Sequence, residues 1–70
     1  MNVSINGQKE VLTQSTLTIS ELLKLKNVEM PEMVSVEHNG TILERDAFGT
    51  THIQDGDDIE FLYFMGGGAH

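Results

Sequence analysis

Seventy residues make one small domain, near the lower limit for folding on a hydrophobic core alone and with little room for a deep substrate pocket. Eleven Asp and Glu against four Lys and Arg give a formal net charge of −7. That charge argues against nucleic acid and anionic membrane surfaces, and it suits either a partner with a basic docking face or plain solubility. The lack of cysteine rules out disulfides, thiolate metal sites and a cysteine nucleophile, while 39% hydrophobic residues place the chain among globular proteins.

In chain order, Met1-Asn2-Val3-Ser4-Ile5 alternates apolar and polar as a half-buried strand does. Asn6-Gly7 is a hairpin signal, because both positions of the favoured tight turn need positive φ. The return strand is expected over Glu10 to Thr13, with Val11 and Leu12 as its apolar content. Thr18 and Glu21 have the spacing of a reciprocal capping box, and Leu17 and Leu22 that of a hydrophobic staple. Ile19, Leu22 and Leu23 share a face, and Lys24 and Lys26 suit the negative end of the helix dipole. A helix is predicted over 19–27, ended by Asn27 before Pro31.

Met33 to Glu37 then reads as a strand, Asn39-Gly40 as a second hairpin turn, and Thr41-Ile42-Leu43 as a short return strand. Residues 44–54 have no clean period and leave room for one helical turn around Ala47 and Phe48. Asp55-Gly56-Asp57 marks a tight turn. Ile59 to Met65 is an apolar strand, dense enough for the middle of a sheet. One helix packed on one face of a mixed sheet of four to five strands is an α+β architecture. Its core is expected to contain Ile5, Leu22, Leu23, Ile42, Ile59 and Phe61. The body spans 1–65, and 66–70 form a flexible tail.

No catalytic or metal constellation emerges. His38 reads as a solvated turn residue and His52 as a surface or partly packed one. Neither forms a metal motif with His70. Asp55, Asp57 and Asp58 read as turn formers. No apolar stretch approaches bilayer length and no leader segment is apparent, so a cytoplasmic protein is expected. Folding leaves Gly66-Gly67-Gly68 unexplained, since ordering three glycines costs entropy without packing gain. Without Cβ atoms the run can enter a narrow channel in another protein. Extended, it reaches about 10 Å beyond the body.

Taken together, Thr16 to Leu23, Asn39-Gly40, Ile42, Arg45, Phe48, Asp55-Gly56-Asp57, Ile59-Glu60-Phe61, Met65 and the glycines resemble a ThiS-type sulfur carrier. That family belongs to the ThiS, MoaD and ubiquitin-like β-grasp group, and the likeness spans nearly the whole chain. It implies the β-grasp arrangement, with the last strand parallel to the first, and a monomeric carrier that is not itself an enzyme. It also implies a cycle run by partners. A ubiquitin-activating-type enzyme uses ATP to adenylate the terminal glycine, and a sulfur donor converts the adenylate to a thiocarboxylate. A sulfur-accepting synthase then consumes the sulfur, in thiazole or cysteine- or homocysteine-type synthesis.

Carried onto this chain, Gly68 bears the sulfur and Gly66 to Gly68 form the inserted stem, with no bound cofactor. Phe61 and Tyr63 or Phe64 offer a docking face, core packing being the alternative for each. Arg45 is either a docking contact or a surface or salt-bridging residue. Ala69 and His70 depart from the pattern of relatives that end on the glycine, because a peptide bond locks the carboxyl of Gly68. The resemblance implies their removal by a JAMM-type zinc metalloprotease. The alternative from another class is a ubiquitin-like modifier joined to lysine through the same glycine.

Overall fold

Two Asn-Gly turns set the registers of the two hairpins in the sheet. Asn6 (φ 53°) and Gly7 (φ 82°) both lie in the left-handed region, as do Asn39 (φ 53°) and Gly40 (φ 87°). Each pair therefore closes a two-residue hairpin whose twist matches that of its strands. In the computed structural model, which describes residues 1–63, the first turn joins β1 (Asn2–Ile5) to β2 (Gln8–Val11). The second joins β3 (Val34–His38) to β4 (Thr41–Leu43).

β5 (Asp58–Tyr63) completes a five-stranded sheet in the order β2-β1-β5-β3-β4. It runs parallel to β1 and antiparallel to β3. The parallel union of first and last strands, with one helix across a face, is the β-grasp arrangement that the element order implied. The expected boundary between body and tail lies outside the described residues.

The helix α1 (Ile19–Leu25) begins as its sequence dictates. The Glu21 N–H donates to Thr18 Oγ1 and the Thr18 N–H to Glu21 Oε1, so the capping box is closed in both directions. Leu17 and Leu22 are both buried, completing the staple. The helix stops two residues short of the expected end. Lys26 forms its C-cap and Asn27 turns left-handed at φ 54°. The Asn27 and Val28 N–H groups close the end by donating to Lys24 O and Leu23 O, and the Lys26 side chain pairs with Glu10 on β2, 2.8 Å away.

Ile19, Leu22 and Leu23 pack over Val3, Ile5, Val34, Val36 and Ile59, and Leu12, Leu17, Phe48 and Ile53 close the sides. No helix among the described residues is long and apolar enough to cross a membrane.

Several boundaries and burials differ from the sequence reading. The return strand starts at Gln8, directly after the turn, because the Asn-Gly loop pairs Ile5 with Gln8. Val11 consequently faces outward and is 76% exposed, whereas Leu12 is buried just past the strand. Pro31–Met33 is a 3-10 turn, so β3 begins at Val34. Ile42 is not core but 53% exposed. Val36 pairs with Leu43 and Glu37 with Ile42, so the pleat sends Leu43 inward and Ile42 to the outer face. Phe61 is half-buried at the margin of the core. The helical turn expected near Ala47 is a 3-10 turn at Arg45–Ala47.

Candidate functional site

β5 leads the chain toward the glycine stem, and the fold fixes it on both sides. On the β1 side, the Ser4 N–H donates to Asp57 O and the Asn6 N–H to Ile59 O, each at 2.9 Å. On the β3 side, the Asn39 N–H donates to Asp58 O at 2.8 Å, and its Oδ1 accepts from the Asp58 N–H at 2.8 Å. Alternate residues of β5 thus bond to opposite neighbours, as a central strand requires.

A polar knot holds the start of the strand. Asp57 accepts from His38 Nε2 (2.7 Å), Asn39 Nδ2 (3.1 Å) and the Gln54 N–H (2.9 Å). Burial raises the pKa of this carboxyl, but the bonds from His38, Gln54 and Asn39 outweigh it and hold the group below the usual 3.8. Nearby, Asp55 accepts from the Asn2 N–H at 2.6 Å, and Gly56 turns at φ 91°. His38 is therefore not the solvated turn residue expected from its place before Asn39-Gly40. It lies in β3 and ties that strand to the entry of β5. Asp57 likewise does more than form a turn.

The other candidate residues separate by position. Phe61 and Tyr63 follow Ile59 on the helix-side face, Phe61 against the core and Tyr63 46% exposed. Arg45 makes no salt bridge among the described residues. Its guanidinium donates to Pro31 O (2.9 Å) and Val34 O (2.7 Å) and lies 5.4 Å from the centre of the Phe48 ring. It braces the entry to β3. Phe64, Gly66, Gly67, Gly68, Ala69 and His70 lie outside the described residues.

Sequence reasoning missed the outer face of the sheet. There Glu37 stands directly opposite Glu60, with Ile42 beside Glu37 and Leu62 further along β5. Facing carboxylates repel. Their adjacency depended on strand register, which sequence spacing alone did not provide.

A five-stranded mixed sheet with one helix across it, its last strand central and parallel to its first, defines a class: the small β-grasp proteins. Comparison with known proteins narrows the class. The ThiS family profile matches residues 2–68. The crystal structure of a thiamine biosynthesis protein (ThiS) from Geobacter metallireducens superposes with a TM-score of 0.89 at 48% identity, covering 97% of this chain and all of that one. The solution structure of a thiamine biosynthesis protein from the same organism gives a TM-score of 0.80, also at 48% identity, with 100% and 91% coverage. A thiazole synthase of Magnetococcus marinus is 33% identical over all 70 residues, and the chain spans only 21% of that relative's length. The chain belongs to the ThiS family of sulfur carriers.

Proposed function

We propose that this protein carries sulfur for thiamine synthesis as a thiocarboxylate on Gly68. One observation carries the reading: the family match runs to Gly68, the last of the three glycines, and stops before Ala69 and His70. In this reading a zinc metalloprotease of the JAMM type hydrolyses the Gly68–Ala69 bond. A carboxylate oxygen of Gly68 then attacks the α-phosphorus of ATP on a ubiquitin-activating-type enzyme, and pyrophosphate leaves. Sulfide attacks the acyl carbon, AMP leaves, and loss of a proton gives the thiocarboxylate. The body supplies no group to this chemistry. It supplies a rigid root for the stem, and the missing Cβ atoms of Gly66 to Gly68 let the carboxyl pass through a narrow channel.

A thiazole synthase is the acceptor best supported. The Magnetococcus marinus relative bears that name and contains a segment resembling this whole chain. Such an arrangement would hold carrier and consumer together at high effective concentration. The acidic pair Glu37 and Glu60 suits docking to a basic partner surface. Intact mass after incubation with cell extract, ATP and sulfide tests the reading. A carrier exchanges one oxygen for sulfur; recovery of the chain only in high-mass conjugates would instead indicate a protein modifier.

A further inference from the structure

Where a ladder of the sheet runs out, a side chain replaces the missing strand. β1 pairs with β5 only at Ser4 and Ile5 and then turns away at Asn6. The Phe61 N–H, one step beyond, donates to Asn6 Oδ1 at 2.8 Å. At the other end of β5, Asn39 Oδ1 receives the Asp58 N–H. β4 pairs with β3 no further than Val36, and the Val34 carbonyl beyond it is taken by Arg45. These three substitutions keep backbone groups partnered where the neighbouring strand has ended.

The pattern breaks at one place. Residues 57, 59 and 61 of β5 bond toward β1, and residues 58, 60 and 62 face β3. The Phe61 C=O and the Tyr63 N–H therefore point to the side that β1 has left. No described residue donates to the one or accepts from the other. Phe61 and Tyr63 also line a groove of about 590 Å³ together with Asn6, Glu10, Lys26 and Val28. The open edge thus faces a cleft with both apolar and charged walls, at the point where β5 heads for the glycine stem.

We propose that this edge is a docking strand: the adenylating enzyme lays an extended segment beside Phe61 and Tyr63, adding a strand in the gap left by β1. The inference rests on the carrier reading. The five residues from the end of β5 to Gly68 reach at most about 16 Å, so Gly68 can be delivered only to an enzyme seated close to that end. A donor and an acceptor with no partner among the described residues give that enzyme backbone bonds that fix the stem's direction, as strand addition does in other recognition systems. The occupant is an extended segment placing an apolar side chain over Val28 and Phe61. A basic side chain on it would meet the exposed Glu29 on the same wall, in keeping with the chain's net charge of −7.

Chemical synthesis of the chain ending at Gly68, with N-methyl-tyrosine at position 63, tests the proposal against the adenylating enzyme from the same source. The methyl group removes the donor and keeps the side chain, while the β3 ladder uses Leu62 and is left intact. The expected result is an unchanged melting temperature and kcat, with KM for the carrier raised about tenfold. Tyr63→Ala, which keeps the N–H, should raise KM less. A KM within about twofold of the unmodified chain would overturn strand addition and leave the carrier reading standing. A lowered melting temperature would overturn it too, by showing that the N–H is used within the chain. If the unmodified chain is not adenylated at all, both readings fall.

Discussion

Met30 holds a left-handed backbone conformation at φ 53°, directly before Pro31, with its side chain 59% exposed. A side chain with a Cβ pays for that conformation, and this one recovers little by burial. Met30→Gly should therefore stabilise the protein by about 0.5–1 kcal/mol in urea titration, after the greater freedom of glycine in the unfolded chain is counted. Asp57 makes the second residue-scale case. Its folded pKa lies below the ordinary 3.8, so its contribution to stability is present above that value. The contribution is lost as pH falls through the folded value. Melting curves across this acid range should show the wild type losing stability more steeply than Asp57→Asn. Equal slopes would mean that the bonds from His38, Gln54 and Asn39 do not favour the charged form. Neither feature was legible in the sequence. Asp55-Gly56-Asp57 announced a turn, but nothing in the spacing placed His38 beside it, because that contact crosses strands.

At the scale of elements, local signals were legible and registers only in part. Thr18 and Glu21 fixed the start of α1, since a capping box is written in four consecutive residues. Thr18→Ala should cost about 1 kcal/mol in the same titration, and an unchanged midpoint would show the cap to be dispensable. The helix end was set two residues too late because Asn27, read as its last residue, is instead the left-handed residue after the cap, and the Asn27 and Val28 N–H groups donate back to Lys24 O and Leu23 O. Ile42 was misplaced for a related reason. In a three-residue strand the pleat, set by the Asn39-Gly40 turn, decides which side is buried. A separate register, between β3 and β5, opposes Glu37 to Glu60. Glu60→Gln should raise the melting temperature slightly and slow association with a basic partner at low salt. A faster association would argue that this face is not the one approached.

Across the whole molecule, the division of labour is between a braced body and an unadorned stem. The parallel β1–β5 union was expected through the resemblance, because the apolar density of the final strand pointed to the middle of a sheet without naming its neighbours. Its consequence is that β5 starts between two neighbours, while its stem end is paired with β3 alone. The sequence singles out the glycine run as chemistry, since ordering three glycines costs entropy without side chains to pack, and that run lies outside the described residues. Where the partner's backbone would join was not legible, because the gap beside Phe61 and Tyr63 depends on how far β1 extends. The central claim is that the carboxyl of Gly68 carries the sulfur. Its most direct measurement is thiocarboxylate formation, read by intact mass, with the 70-residue and 68-residue forms given the same adenylating enzyme, ATP and sulfide. The form ending at Gly68 should exchange oxygen for sulfur, and the form retaining Ala69 and His70 should stay unchanged. Equal sulfuration of a chain shown by mass to keep both residues would contradict the claim.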